Sequence, residues 1–571
     1  MNERTARAVE LEPLPKRPNP WRLFTAFNSS EPRWPGALRA AIAVTVPGMI
    51  ALLLGHPDAT VLIASGGFIV IYGEGHPYRA RIRIMAWAAA MLVAGATVGA
   101  FVGTFMWDEL QAGGSHWWLM LSAVYTVIIA TVGTYVQNAL RLRPPGVFFI
   151  VMVAGGSTMM VKSGLNPIEV GGWAIVGALS AILVGMSGAL VNPHGPERQA
   201  VITADRAVAV FEAKDSSLGQ HHRAQQAVAQ AWSTLGDAGI ISGGAIVDKH
   251  QSHLVERTMD AHRRLARRGG GSRFGNDSDM GALFDEQRLV IPHTRPSIMY
   301  RLTRSANRHS HAYITAEKVL MATLLSAIVG IALGFDRPDW AVVSALLMIQ
   351  WGPDRIPGQV RGLHRLVGSL VGIGLYGVFH LLEVDGLTLL LALAVCQFGA
   401  EFFVTKNYAF TVIFTTPLAL LMGDSLQQPL GDVFWARTAE VAISIVFGSL
   451  LLWLWRPSAE RAHHYRLIIR VRKAMGSLLG ALLVGPPSGA KEERRDLQYE
   501  LLSERRAINS LAMDHPDDAL EKWADHVEAQ TAGYAMLEYC NARNDDRLTP
   551  AEVAELAARV PTPHGPHSEP A

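Results

Sequence analysis

Two ionisable residues stand inside one long apolar run near the end of the chain. Arg437 and Glu440 are three residues apart, so a helix places both on one face, where they can pair. Ionisable groups in membrane-spanning helices are costly and usually face the protein interior or a water-filled path. The pair therefore has two interpretations: a structural salt bridge, or a transport site in which Glu440 titrates while Arg437 attracts substrate. Glu401, near the end of another apolar run, is a further candidate for proton coupling.

Arginines stand in front of two other apolar runs. Arg81 and Arg83 precede IMAWAAAMLVAGATVGAFVG, and Arg361 and Arg365 precede LVGSLVGIGLYGVFHLL. A guanidinium can hold a carboxylate through two parallel hydrogen bonds, which suits an anion pathway. The alternative is that these arginines only anchor the chain at the lipid headgroups. Arg83 and Arg365 are the preferred pathway residues because they lie closest to the apolar runs.

Two aspartates occupy matching positions at the start of short apolar runs. Asp58 and Asp339 each follow a proline there. An aspartate at a helix start can cap it by accepting hydrogen bonds from backbone N–H groups. A role in proton coupling is the alternative interpretation for both residues.

The elements that position these residues are predicted to be transmembrane helices. Half of the 571 residues are hydrophobic, with a mean hydropathy of +0.20, and they are gathered into long runs. Runs of about 17–25 apolar residues cross a bilayer. We predict spans at residues 37–55, 59–72, 84–105, 117–138, 146–161, 169–191, 313–334, 340–351, 363–382, 386–404, 407–422 and 433–455.

The last six spans repeat the order of the first six. Each half has Pro-Asp, a short apolar run that ends in an aromatic-Gly pair, an arginine-bearing loop and a glycine-rich apolar run. The pattern predicts an all-α polytopic membrane protein with two parallel six-helix transmembrane repeats and helical cytosolic domains. The second, fifth, eighth and eleventh spans are short, and the fifth and eleventh are also broken by glycine or proline. Such spans point to a transport site, although half-helices packed within the bundle would look the same.

The spans divide the chain into six predicted segments. These are a cytosolic arm (1–36), the first membrane repeat (37–192), a cytosolic helical linker (193–312), the second membrane repeat (313–456), a cytosolic C-terminal helical domain (457–560) and a disordered tail (561–571). Most loop arginines lie on the side of the arm, linker and tail, so both termini are predicted to be cytoplasmic. Small residues along the third and ninth spans permit close helix contacts, within one chain or in a homo-oligomer.

The sequence lacks the motifs of several other protein classes. It contains no P-loop, nucleophile elbow or dinucleotide fingerprint, so we expect neither an enzyme nor a nucleotide cofactor. The linker histidines lack the spacing of a metal site, and the two cysteines lie in different environments. We therefore expect no metal, no disulfide and no nucleic-acid partner. The expected partners are the lipid bilayer and a small organic anion.

The doubled block resembles a known family. RPDWAVVSALLMIQWGPDRIPGQVRGLHRLVGSLVGIGL, within twelve spans split by a cytosolic domain, is similar to the fusaric acid resistance (FUSC) family. The first block, HPDATVLIASGGFIVIYGEGHPYRARIRI, has Ala59 where that pattern has tryptophan. The chain is also distantly similar to the aluminium-activated malate transporters, which are anion channels. The resemblance implies an exporter of aromatic carboxylic acids in a bacterial-type plasma (inner) membrane.

These observations lead to three functional hypotheses. The first is a proton-driven exporter of small organic anions, chiefly aromatic carboxylates. The second is a passive anion channel, which the malate-transporter resemblance allows. The third is a membrane scaffold whose cytosolic helices bind partners.

Overall fold

The chain folds into two compact units in a computed structural model. The structure describes residues 3–17, 19–27, 33–57, 59–213, 218–242, 245–271, 296–422, 424–543 and 546–561. The first unit, called the membrane unit, comprises residues 18–193 and 304–457. The second unit comprises residues 1–17, 194–303 and 458–571. The predicted domain boundaries stay predictions.

Nearly all regular structure in the described residues is helical. Up to residue 271 the helices are α1 (Glu3–Leu11), α2 (Pro20–Thr25), α3 (Trp34–Leu53), α4 (Ala59–Gly67), α5 (Ile69–Gly73), α6 (Tyr78–Gln111), α7 (Met120–Leu140), α8 (Phe148–Met160), α9 (Pro167–Met186), α10 (Gly188–Val191), α11 (Gly195–Glu212), α12 (Leu218–Ala238) and α13 (Ser252–Gly271). After residue 295 they are α14 (Ile298–Ser305), α15 (His311–Ala332), α16 (Pro338–Ile349), α17 (Arg355–Leu381), α18 (Gly386–Phe403), α19 (Tyr408–Leu421), α20 (Leu430–Leu454), α21 (Ala459–Val484), α22 (Lys491–Asp514), α23 (Pro516–Arg543) and α24 (Pro550–Ala558).

The membrane unit contains the helices that cross a bilayer. Among the described residues, eight helical segments are long and apolar enough to span one, and they lie at eight of the predicted spans. Their outward faces carry large exposed apolar side chains such as Trp87, Ile168 and Leu183, which are more than 70% exposed. In water such faces would be unfavourable, whereas lipid tails cover them at no such cost. The predicted multi-pass membrane protein is thus confirmed.

Four shorter apolar segments occupy the positions of the predicted short spans. They are residues 59–73, formed by α4 and α5, and the helices α8, α16 and α19. The last three have 13, 12 and 14 residues, so they extend only about 18–21 Å. All twelve residues of α16 are buried. Because protein rather than lipid surrounds α16, its length need not match the bilayer.

Helix packing in the membrane unit follows the same pattern in its two halves. The third span of each half packs on a short helix, α6 on α8 and α17 on α19. The first span of each half packs on the fourth span of the other, α3 on α18 and α15 on α7. This arrangement of helix contacts is the one expected for two parallel repeats. The duplication itself stays a prediction.

Glycines allow the close approach within these helix pairs. A Cβ atom on Gly368 of α17 would lie 2.6 Å from the carbonyl oxygen of Ala409. On Gly372, one turn later, it would lie 2.8 Å from the carbonyl oxygen of Ile413. The small residues predicted to permit close contact therefore serve contacts within this chain. A homo-oligomer stays a prediction.

The second unit is built from α1, α11–α13, most of α14 and α21–α24, with one small strand pair. The strands β1 (Ile241–Ser242) and β2 (Ala245–Ile246) pair antiparallel. Trp523 and Tyr534 of α23 are fully buried in the core of this unit. Nearly all of the predicted disordered tail lies outside the described residues.

Candidate functional site

The predicted arginine-bearing loops are helical in the structure. Helix α6 begins at Tyr78 and α17 at Arg355, so the arginines lie in the first turns of long helices rather than before them. The residues after Pro77 have no helix breaker, and a proline near a helix start is well tolerated. This corrects the predicted starts of the third and ninth spans.

A helical start decides which arginines point inward. Arg81 is buried and donates from Nη1 to the carbonyl oxygen of Gly185 at 3.0 Å, whereas Arg83 is exposed. Burial therefore distinguishes the two arginines, and a role of either in a substrate pathway stays a prediction. In the other half Arg365 is buried, and Arg361 donates from Nε to the carbonyl oxygen of Met348 at 2.9 Å.

All four predicted short spans contribute to one cavity in the membrane unit. It encloses about 580 Å³ of space between atoms, part of it open. Its walls come from α4, α8, α16 and α19, with single contributions from the long helices α17 and α20. The lining residues are Ser65, Phe148, Met152, Val153, Gly156, Ser157, Met160, Arg337, Asp339, Trp340, Val343, Arg365, Thr415, Ala419, Met422 and Arg437.

One wall of this cavity carries an excess of positive charge. Three buried arginines, Arg337, Arg365 and Arg437, line it with a single carboxylate, Asp339. Asp339 already has an ion-pair partner, because its carboxylate accepts hydrogen bonds from Arg337, with Nε to Oδ1 at 3.1 Å. Two guanidiniums, those of Arg365 and Arg437, are left without a carboxylate partner within hydrogen-bond distance among the described residues.

Trp340 orders two of these arginines. The guanidinium carbon of Arg337 lies 4.5 Å from the centroid of its ring, and that of Arg437 lies 4.8 Å away. Cation–π contacts of this kind strengthen where water is excluded. Nε and Nη1 of Arg437 have no hydrogen-bond partner among the described residues. Arg437 is therefore fixed by stacking while part of its donor capacity stays unused.

The predicted pairing of Arg437 with Glu440 is not made as a direct hydrogen bond. Glu440 is fully buried, and neither of its carboxylate oxygens has a hydrogen-bond partner among the described residues. The reason is that Arg437 reaches across to Trp340 of α16 instead. Helix α20 is held to α16 nearby by Ser444, which donates from Oγ to the carbonyl oxygen of Ala341 at 2.9 Å.

Another part of the cavity wall is uncharged and comes from the first half of the chain. Phe148, Met152 and Met160 of α8 provide its large apolar surface, and Ser157 adds a hydroxyl group. Flexible thioether side chains adapt to irregular apolar shapes. The lining of the cavity thus has one part with an excess of positive charge and one apolar part.

Close packing between the halves occurs beside the ion pair. A Cβ atom on Gly155 would lie 2.7 Å from the Cβ atom of Asp339, so only glycine fits there. The glycine pair that was predicted to break the fifth span lies within the continuous helix α8, and contact with α16 explains the glycine at 155. Nothing lies within 4 Å of a Cβ atom on the neighbouring Gly156, which lines the cavity.

The two aspartates of the Pro-Asp motifs have different outcomes. Asp339 does not cap α16: Arg337 is the N-cap residue, and Asp339 lies in the first turn bonded to it. A nearby guanidinium competes better for the carboxylate than backbone N–H groups do. Asp58 lies outside the described residues.

Glu401 lies away from the cavity in a separate ionic group. Its Oε1 atom is 3.2 Å from Nη1 of Arg33 at the start of α3. Arg39 of the same helix contacts Glu74 through Nη2 at 2.8 Å. Both carboxylates approach Gly36 of α3, where the helix N-terminus favours negative charge. The structure therefore separates Glu401 from Glu440.

Two cavity residues are absent from the sequence-based site. They are Arg337 and Trp340. The signal that could have found them is the run Arg337, Pro338, Asp339, Trp340, since a charged pair and an indole open a buried short helix. In the described residues no group of His, Cys, Asp or Glu could hold a metal ion.

Comparison with known proteins agrees with this membrane architecture. Residues 323–451 match the family model described as fusaric acid resistance protein-like. The uncharacterized membrane protein YvaC of Bacillus subtilis (strain 168) is 24% identical over 586 residues, which cover 92% of this chain and 88% of that protein. No solved structure matches the chain.

Proposed function

Because the chain is a membrane protein of the fusaric acid resistance family, we propose that it transports small organic anions. The cavity between the short helices is the proposed binding site. The observation that carries this proposal is the presence in its wall of Arg365 and Arg437, which are buried and have no carboxylate within hydrogen-bond distance in the described part of the chain. Buried charges are normally paired, so a cavity wall with two cations that no carboxylate contacts directly favours an anionic ligand.

The two walls support a substrate with two different ends. A carboxylate would bind the arginine side, where a guanidinium offers parallel donors. A ring or short alkyl body would contact Phe148, Met152 and Met160. An aromatic carboxylate is the substrate class that we propose.

Glu440 is the residue that we propose for proton coupling. Of the four carboxylates considered, Asp339 is paired with Arg337 and Glu401 with Arg33, and Asp58 is not described. Glu440 is buried, has no hydrogen-bond partner among the described residues and lies one turn from Arg437. A change in its charge would act directly on the guanidinium proposed to hold the substrate.

Export across a bacterial-type plasma membrane, with both termini in the cytoplasm, completes the proposal. Its support is the arginine excess in the loops on one side of the predicted spans. Accessibility of an introduced cysteine at either terminus to an impermeant thiol reagent in intact cells is the test. Labelling at either terminus would contradict the proposed orientation.

Transport is tested with the purified full chain in proteoliposomes. Benzoate, an aromatic monocarboxylate, should cross the membrane faster than in protein-free vesicles, and an imposed pH gradient should change its rate. No benzoate movement would contradict the proposed function, whereas movement unaffected by the pH gradient would contradict only proton coupling. Unitary anion currents in a planar bilayer would identify a channel instead of a carrier.

The proposed coupling residue has its own control. Glu440→Gln keeps the size of the side chain and removes its ability to ionise, so the effect of the pH gradient should disappear. Glu401→Gln, at the separate ionic group, should leave that effect in place. Equal loss in both variants would contradict the assignment to Glu440.

A further inference from the structure

A short segment before the first span packs against helices from the second half of the membrane unit. Residues 19–27, called here the arm segment, contain α2 and the two residues after it. His364 of α17 has its Nε2 atom 2.8 Å from the carbonyl oxygen of Phe24. Asn407 donates from Nδ2 to the carbonyl oxygens of Phe24 at 3.2 Å and Ala26 at 3.0 Å. The last carbonyls of a helix lack partners within it, and here two side chains of the membrane unit satisfy them.

Aromatic rings add to this contact on the same side of the segment. The ring of Phe24 stacks on His364 with centroids 4.6 Å apart. Phe27 meets Phe403 and Phe410 edge-on at 6.4 and 6.2 Å. Trp21, by contrast, is 70% exposed. The arm segment is thus docked by one face only.

Both docking residues connect directly to the cavity. His364 precedes Arg365, which lines the cavity wall. Asn407 is the N-cap of α19, since its Oδ1 atom accepts a hydrogen bond from the backbone N–H of Ala409 at 2.9 Å. Helix α19 carries Thr415 to the cavity about 12 Å further along, eight residues at 1.5 Å each.

The corresponding segment of the other half is placed differently. Helix α14 precedes α15 as α2 precedes α3, but its Tyr300 contacts Tyr499 and Glu500 of the second unit. In the described part of the chain, docking on α17 and α19 is therefore a property of the arm segment, and α14 does not match it.

We propose that the arm segment is a strap that holds the third turn of α17 and the N-terminus of α19 together and restricts access to the cavity that both helices line. Release of the strap opens the cavity on the side where the arm segment packs. The strap thereby regulates the proposed binding site. Its biological role rests on the proposed function. The access step itself can be tested without any substrate.

A cysteine in the cavity reports access. The two native cysteines are buried, so Ser157→Cys in the full chain gives a single reactive thiol at the cavity wall. Two strap variants are made in this background. Phe24→Ala with Phe27→Ala removes the rings from the arm side, and His364→Ala removes the contact from the α17 side. Arg22→Ala is the matched control because it truncates an exposed side chain of the same helix.

The measured quantity is the rate at which a polar maleimide labels this thiol in the purified protein. Both strap variants should label at least about fivefold faster, the low end of coupling between two sites, and the control should not. Hydrogen exchange of residues 19–27 shows that the strap is released. Released strap with unchanged labelling would overturn the proposal. If the double variant does not fold, the labelling rate of His364→Ala decides the test, whereas absent benzoate transport in the native chain contradicts only the proposed function.

Discussion

The guanidinium of Arg437 stacks on the ring of Trp340, with its carbon 4.8 Å from the ring centroid. The two residues come from different helices, α20 and α16, and both line the cavity. The contact fixes a cation at the wall without using up its hydrogen-bond donors. Its consequences can be measured in several ways.

Removing this cation should strongly reduce anion transport. Arg437→Gln replaces the cation with an uncharged polar side chain. Loss of hydrogen bonds to a charged group costs about 1.5–3 kcal/mol, roughly 10- to 100-fold in affinity. The concentration dependence of benzoate transport measures this change. Arg79→Gln, at an exposed arginine of α6, is the control and should behave like the native chain. An equal effect of both variants would point to surface charge rather than to the cavity.

Two adjacent glycines should respond differently to alanine. Gly155→Ala places a methyl group against Asp339 and should lower stability by about 1–3 kcal/mol, the usual cost of overpacking. Gly156→Ala meets nothing within 4 Å and should be neutral or slightly stabilising, because alanine favours helix. Thermal unfolding of the two purified variants makes the comparison. Similar melting temperatures would show that α8 and α16 do not pack closely in solution.

The buried ion pair at the start of α16 should show strong coupling. Asp339→Asn removes the carboxylate from Arg337, and loss of one partner of a buried pair costs about 3–5 kcal/mol. Combining it with Arg337→Gln removes the stranded charge and should recover part of that stability. Melting temperatures of the two single variants and the double variant form the cycle. Additive losses would mean that the pair is not coupled.

The second unit should lose stability in mild acid. Burial lowers the pKa of His526, and it lowers the pKa of His222 to about 4. Below about pH 6.5 the unfolded chain binds protons that these folded histidines do not. Stability is therefore present near neutral pH and is lost as pH falls towards about 4, by up to about 1.4 kcal/mol per pH unit and histidine.

Unfolding experiments at several pH values check this dependence. His222→Asn should flatten it, while His250→Asn, at an exposed position, should not. Burial alone would raise the pKa of Glu504, but His526 and His464 outweigh it and hold that pKa well below its usual range. The contribution of Glu504 therefore persists until stronger acid is reached. Stability that stays level down to about pH 5 would contradict the histidine assignment.

The positions of the spans were predictable because apolar run length is a local property. The short runs, the glycines at 155 and 156 and the proline at 417 also marked the cavity helices correctly. The side that each arginine faces was not predictable. It depends on where the helix begins: extending α6 back to Tyr78 turns Arg81 inward and leaves Arg83 outside.

Long-range partners account for the other differences. Nothing near Glu440 in the sequence indicates that Arg437 stacks on Trp340, about a hundred residues earlier. The contact between Glu401 and Arg33 likewise joins residues separated by most of the chain. The predicted cytosolic arm also contains Phe24, whose ring contacts His364 of the membrane unit.

The walls of the cavity come from different parts of the chain, and this division has a consequence for comparing proteins. Every charged lining residue lies within residues 323–451, the segment that matches the family model, whereas the apolar wall of α8 lies outside it. A protein that matched this chain in that segment alone would carry the charged part of the wall without the apolar part.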